Sequence, residues 1–246
     1  MKIIVLMGGD NLDIKGERYP LYMTEFNEEL ILERQIRSLQ RLEPSQILFC
    51  VRAADIRKFN VDDVISQSAE NAICVEVAGP TAGSVCTALL AAEHVDKQEE
   101  VVLVAADELI DADFATLVKG FRDAGQDAGV VSFRSVHPRY SFALLDENGA
   151  VREVAEKRPV SKHALASFYY FRSGHEFVQC AQSVVRKDRK INNAFYLSQT
   201  VNEMILRHGT VGIQFIENDK FHPLKTEMQL AQYINQLQEH REAWLH

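Results

Sequence analysis

The chain has 246 residues, of which 46% are hydrophobic and 25% charged, and its formal net charge is −8. That is the make-up of an ordinary globular protein, long enough for one large α/β domain or two small ones. The acidic balance argues against a nucleic-acid surface, which leaves a basic footprint, but it allows a local basic pocket for a small phosphorylated ligand.

The opening MKIIVLMGG is a short apolar run with no polar cleavage region. It is too short to span a membrane, so it reads as a buried first strand of a cytoplasmic protein without membrane insertion. Residues 2–7 are continuously apolar after Lys2, as in a strand buried on both faces. Residues 29–42 then place Leu30, Ile31, Ile36, Leu39 and Leu42 at helical spacing with charges between them. Residues 47–51 read as the next strand, 53–66 as a surface helix, 73–77 as a strand and 84–94 as a small-residue helix. A further buried strand at 101–105 runs out at Asp107. Such alternation argues for a mostly parallel sheet with helices on both faces.

From Val130 to Phe171 the pattern changes. A β-rich run meets a His137-Pro138 turn, and a second apolar run leads to Asp146-Glu147-Asn148-Gly149. Asn-Gly supplies the positive φ that tight hairpin turns require. A return strand ends in Glu156-Lys157-Arg158-Pro159, and a third apolar strand closes with Tyr169-Tyr170-Phe171. This hairpin makes the sheet mixed. Residues 202–208 and 227–244 are the later helices, the last long and amphipathic. With no repeat or linker, the whole reads as one α/β domain. Cys50, Cys74, Cys86 and Cys180 are scattered through apolar runs without a CxxC pair, the pattern of reduced, buried thiols.

Ligands in open α/β sheets collect beyond the carboxyl ends of the strands. Gly8-Gly9-Asp10-Asn11 follows the first strand directly, where glycines let backbone N–H groups approach a phosphate. A strand-ending Gly-Gly is as often a plain turn. Gly79-Pro80-Thr81-Ala82-Gly83-Ser84 joins a strand to a helix whose N-terminus offers donors to an anion or a base edge, unless Thr81 or Ser84 is simply an N-cap. Asp107 closes an apolar strand, well placed to hold a divalent metal on a triphosphate. Asp111 and Asp113 read equally well as caps for a helix starting at Phe114. His137 and His163 read as solvated loop residues. Tyr169, Tyr170 and Phe171 alternate faces, so some line a pocket and the rest are core. Asn192, Asn193 and Tyr196 suit sugar hydroxyls, or else a loop before a helix. Trp244 packs on its helix or in a subunit contact, and a homodimer is compatible with that helix.

The order "strand, DxxG, strand, EKxP, aromatic strand" resembles the sugar-phosphate nucleotidyltransferases of the GT-A-like α/β class. TAGSVCTALLAAEHVD followed by VVLVAADELIDADF is similar to their nucleotide-contacting turn, helix and metal-aspartate strand. HPRYSFALLDENGAVREVAEKRPVSKHALASFYYF and NNAFYLSQTVNEMI resemble their acceptor half, in particular that of bacterial proteins of capsule and surface-glycan loci. The resemblance implies a single Rossmann-like domain over residues 1–246, with a nucleotide-binding half at 1–125 and an acceptor half at 126–246. It implies transfer of a nucleoside monophosphate, from CTP or UTP first of all, to a sugar-1-phosphate or a related sugar or alcohol phosphate, with release of pyrophosphate. Asp107 would hold Mg²⁺, Lys157 would neutralise the acceptor phosphate, and Gly8, Gly9, Thr81, Ala82 and Gly83 would hold the nucleotide. Glu156, Asn193 and Tyr196 would face the acceptor.

The chain departs from this family's pattern in three places. A Gly-x-Gly-Thr/Ser-Arg loop normally ends in Pro-Lys; here the arginine's place falls at Asn11 and the last pair reads Pro20-Leu21, with Lys15 and Arg18 as nearby charges. The second metal aspartate aligns with His222-Pro223, leaving Glu217, Asp219 or His222 as stand-ins, and Lys225-Thr226-Glu227 stands where many members carry Gly-Thr-Pro-Glu. Two other readings follow: a non-catalytic homologue that binds a nucleotide or sugar nucleotide, and a GT-A glycosyltransferase using Asp111-Ala112-Asp113.

Overall fold

The apolar runs of the first half form the parallel part of a nine-stranded sheet. The computed structural model describes residues 1–9, 12–14, 17–95 and 98–244. Strands β1 (Lys2–Met7), β2 (Gln46–Arg52), β3 (Ala72–Val77) and β4 (Val101–Ala105) lie in the spatial order β3-β2-β1-β4, all parallel. The second half adds β5 (Ala128–Arg134), β6 (Ser141–Leu145), β7 (Val151–Glu156), β8 (His163–Phe171) and β9 (Val211–Phe215). β8 runs antiparallel to β4, with Phe168 opposite Val104, and antiparallel to β5, which in turn pairs in parallel with β9. The β6–β7 hairpin joins β8 where Phe142 faces Ala164. The result is a single α/β domain with a mostly parallel mixed sheet flanked by helices.

Period-two alternation divides even the fully apolar strands between two cores. β1 sends Ile3, Val5 and Met7 to one face and Ile4 to the other; β8 sends Phe168 and Tyr170 to the first, Tyr169 and Phe171 to the second. Helices α1 (Ile31–Gln40), α2 (Ala53–Phe59) and α3 (Val61–Ser68) lie early in the chain, followed by α4 (Ser84–Leu89) and α5 (Phe114–Asp123). After the hairpin come α6 (Gly174–Arg186), α7 (Ser198–Leu206) and α8 (Glu227–Trp244). α1, α3 and α5 cover the first face, where Phe114 stacks on Phe168 and Phe121 on Tyr170 at centroid distances of 5.3 and 5.4 Å. α4, α6 and α7 cover the second. α8 closes a third cluster, burying Tyr233 against Leu21, Ile31, Leu109 and Leu224.

The expected hairpin forms as read: Gly149 has φ +81°, and Asp146 N–H bonds Ala150 O at 2.9 Å. Three helix boundaries differ from the sequence expectation. The helix expected over 53–66 is broken at Asn60, which takes φ +49°, a left-handed conformation that Asn tolerates better than most residues. The helix expected over 84–94 stops at Leu89 and tightens into a separate turn over Ala92–His94. The helix expected from 202 begins four residues earlier, at Ser198. Its first turn buries polar side chains, so no apolar spacing marked it. All four cysteines are free, and burial pushes the Cys50 and Cys180 thiols up to about 12. No helix among the described residues is long and apolar enough to cross a membrane.

Candidate active site

A cavity of about 460 Å³ opens beyond the ends of β1 and β4. Met7, Gly9, Ala106 and Asp107 line it from the first half of the chain, and Lys157, Tyr169 and Tyr196 from the second. Asp107 is fixed by its surroundings. Ala106 N–H donates to Leu6 O at 3.0 Å, Gln35 Nε2 of α1 donates to Ala105 O at 3.0 Å, and Leu224 N–H donates to Asp107 O at 2.7 Å. The last of these exists because a short strand, Glu108–Ile110, pairs antiparallel with Phe221–Pro223. That pairing also delivers Lys225, whose ammonium contacts the Asp107 carboxylate and lies 3.4 Å from Glu108 Oε1. Glu108 Oε2 accepts a hydrogen bond from Ser167 N–H at 3.1 Å. Burial pushes the Glu108 carboxyl above its ordinary range, with Lys225 opposing the shift. Burial works against the Lys225 charge as well, but Glu108 and Asp107 outweigh it and hold the ammonium above the usual lysine range.

Also at the cavity, β7 ends at Glu156, and Lys157 takes φ +54° with its N–H bonded to Tyr140 O at 3.0 Å. A non-glycine residue held in this conformation is strained by about 1–3 kcal/mol, and such residues cluster at functional sites. Lys157 Nζ donates to Tyr196 Oη at 2.7 Å. The Glu156 carboxylate accepts hydrogen bonds from Ser141 and, at 2.7 Å, from Ser198 Oγ. Tyr169 lines the cavity while Tyr170 and Phe171 are core, and burial raises the Tyr169 hydroxyl's pKa. Arg139 also lines the cavity, its guanidinium 5.7 Å from the centroid of the Tyr140 ring. Tyr22 is held in the wall by its hydroxyl, which donates to Asp55 Oδ2 at 3.1 Å; Arg52 grips the same carboxylate with two bonds of 3.0 Å.

The two expected nucleotide turns lie against each other. A Cβ on Gly8 would come 3.1 Å from Thr87 Cγ2, and Thr87 Oγ1 is 2.7 Å from Thr81 Oγ1. Gly83 has φ +116°, and a Cβ there would meet Phe195 O at 2.4 Å. Phe195 N–H donates to Ala82 O at 2.8 Å, and Leu197 N–H to Ser84 Oγ at 3.0 Å, so this turn is laced to the segment that carries Tyr196. Gly9 and Ser84 line the cavity; Gly8, Thr81, Ala82 and Gly83 stand behind them. Asn193 is exposed, has φ +65° and lies outside the lining.

Other sequence candidates are placed elsewhere. Leu21 does line the cavity as an apolar, buried side chain. Asp10, Asn11 and Lys15 lie outside the described residues, as does the Arg18 side chain. Glu217 and Asp219 are exposed and do not line the cavity. Asp111 is not the helix cap it was expected to be: it pairs with buried His222 at 3.2 Å, and this partner with Arg34 and Lys220 lowers its pKa although burial acts the other way. Asp113 does cap α5, accepting from Ala115 N–H at 3.1 Å and Thr116 Oγ1 at 2.6 Å. The Asp-x-Asp pair is thus spent on structure. Among the described residues no three His, Cys, Asp or Glu side chains gather into a metal cluster. Asp107, 36% exposed on the cavity wall, still offers one carboxylate, and Mg²⁺ is commonly held by one or two carboxylates together with substrate phosphates. Sequence reasoning named Lys225 only within the Lys225-Thr226-Glu227 turn and gave it and Arg139 no role, because only tertiary pairing brings them to the cavity.

A family model described as nucleotidyl transferase matches residues 17–244. A search of curated proteins finds no match to this sequence. Among solved structures, a nucleoside-diphosphate-sugar pyrophosphorylase from Vibrio cholerae RC9 is similar at TM-score 0.77 and 18% identity, covering 96% of this chain and 100% of that one. HddC from Yersinia pseudotuberculosis, complexed with GMP-PN, is similar at TM-score 0.66 and 13% identity, covering 96% and 99%. A UDP-glucose pyrophosphorylase complexed with UDP-glucose is similar at TM-score 0.77 and 11% identity, covering 97% and 98%. At these identities the likeness is one of fold.

Proposed function

The chain belongs to the nucleotidyl transferase family, and from that premise we propose that it transfers a nucleoside monophosphate from a nucleoside triphosphate to a sugar-1-phosphate or a related phosphate monoester. The observation that carries this reading is one cavity lined by both Asp107 and the Lys157–Tyr196 pair. In such a reaction an acceptor phosphate oxygen attacks the α-phosphorus and pyrophosphate leaves. The protein contributes positioning and charge neutralisation rather than covalent chemistry.

Asp107 is the residue that would hold Mg²⁺ in this reading, and the ion would supply charge stabilisation on the triphosphate. Gly8, Gly9 and the Thr81–Gly83 turn hold the nucleotide from residues 1–125. Lys157 receives the acceptor phosphate, and Glu156 and Tyr196 face the acceptor from residues 126–246; Asn193, outside the lining, has no contact with it in this reading. CTP and UTP are the first nucleotides to test. We place the reaction in the cytoplasm, in the synthesis of a surface-polysaccharide precursor. One observation favours a non-catalytic, nucleotide-binding alternative: Leu21 brings no charge to the cavity.

A thermal-shift panel of CTP, UTP, ATP, GTP and dTTP, with and without Mg²⁺, tests the reading. A ligand at a hundredfold excess over its Kd stabilises the native state by about 2.7 kcal/mol. Mg²⁺-dependent stabilisation by one nucleotide is expected and identifies the base. No shift with any of the five sinks the proposal. Asp107→Ala should abolish turnover while nucleotide-free melting stays close to wild type. Retained function in that variant would point to the non-catalytic alternative.

A further inference from the structure

Lys225 stands at the end of β4 by virtue of its backbone, which is pinned. Its N–H donates to Gln229 Oε1 at 2.9 Å, and the preceding Leu224 N–H donates to Asp107 O at 2.7 Å. Only the side chain is free to rotate, and it is held by charge, in contact with Asp107 and 3.4 Å from Glu108 Oε1. These two carboxylates differ. The Glu108 side chain is 10% exposed, whereas Asp107 is 36% exposed and Lys225 itself 41%. A buried carboxylate needs a partner nearby, but a half-open one is adequately solvated without one.

An ammonium on a flexible four-carbon stem is a movable point charge. Lys225 can therefore leave Asp107 for another anion in the same cavity while staying close to Glu108. The surroundings leave that task to it. Leu21 and Leu224, packed together beside it, are apolar. Of the other cavity cations, Lys157 lies beside Tyr196 and is assigned above to the acceptor phosphate, and Arg139 is engaged with Tyr140 and His137.

We infer that Lys225 is a phosphate-binding cation parked on Asp107: it masks that carboxylate in the ligand-free protein, then passes to the oxygens of an arriving polyphosphate and frees Asp107 for a divalent cation. This rests on the nucleotidyl-transfer reading for the identity of the anion. It makes Lys225 a residue that couples metal and phosphate binding.

The test uses the full chain and two probes, each alone. Mn²⁺ is titrated into nucleotide-free protein by calorimetry, and tripolyphosphate is titrated in excess EDTA. In Lys225→Met, Mn²⁺ should bind about tenfold tighter, because a competing cation is gone, and tripolyphosphate about tenfold weaker, because a phosphate ligand is gone. Opposite shifts in the one variant are required. Two unchanged affinities, or two that move together, overturn the proposal. Lys225→Met leaves Glu108 without its cation, so the same titrations are repeated in Glu108→Gln/Lys225→Met, which removes both members of the buried pair; the same opposite shifts are required there. Neither probe carries a base or an acceptor, so failure here is distinct from failure of the nucleotide panel.

Discussion

At Gly83 the backbone takes φ +116°, and a Cβ would be driven to within 2.4 Å of Phe195 O. Gly83→Ala therefore meets a backbone atom that no rotamer can avoid, as well as the strain of that conformation. We expect a loss of about 3 kcal/mol in urea unfolding, with nucleotide-dependent stabilisation lost because the Ala82–Phe195 lacing opens. A variant as stable as wild type would show that the turn relaxes. Lys157→Met removes a charged donor from the acceptor wall and should lower kcat/KM about 100-fold, the scale found for a single donor to a developing charge. The loss should sit mainly on the acceptor, with nucleotide affinity kept. Asp107 and Lys157 were legible in the sequence because each ends a recognisable strand. Lys225 was read only as part of a Lys225-Thr226-Glu227 turn and given no role, because its position at the cavity depends on Pro223 lying opposite Glu108. Arg139 was hidden in the same way, in the segment that precedes β6, whose path to the cavity no local signal specifies.

At the scale of elements, α7 shows what the apolar pattern omits. Its first turn buries Ser198, Gln199 and Thr200, and its middle buries Glu203. Ser198 reaches Glu156, while Glu203 Oε2 accepts from Ser183 Oγ and Lys187 Nζ of the α6 end, both at 2.7 Å. A periodicity search sees only Val201 and Met204 and starts the helix late. Burial alone would raise the Glu203 pKa, but the Lys187 and Ser183 hydrogen bonds outweigh it and lower it. The folded state then binds fewer protons than the unfolded one. The contribution is complete above the unfolded carboxyl value, about 4.3, and fades as pH falls through the lower folded value. Glu203→Gln should cost about 2 kcal/mol at neutral pH, and the gap to wild type should narrow in acid. Urea unfolding from pH 7 downward checks this; a gap that widens in acid contradicts the assignment. The two-sided strands and the Asn148-Gly149 hairpin, by contrast, were legible because each obeys one local rule.

For the molecule as a whole, the sequence indicated an α/β sheet turning mixed at the hairpin, and that is the fold. What it withheld was the third cluster under α8, where Tyr233 packs on Leu21 and Leu224 and its hydroxyl accepts from Arg34 Nε at 2.9 Å. Those two leucines also line the cavity, so α8 supports its floor without touching a ligand. Tyr233→Ala should cost about 3 kcal/mol, as other large buried aromatics do, and should weaken polyphosphate binding as well; calorimetry and unfolding on one preparation separate the two effects. The contact between Lys225 and Asp107 joins residues 118 positions apart. A chain growing from the ribosome therefore carries Asp107 through 118 further residues before the segment that completes the cavity exists. Polypeptides cut short before Lys225 should ignore tripolyphosphate in calorimetry, because the proposed site exists only once both of these distant segments have been made and brought together.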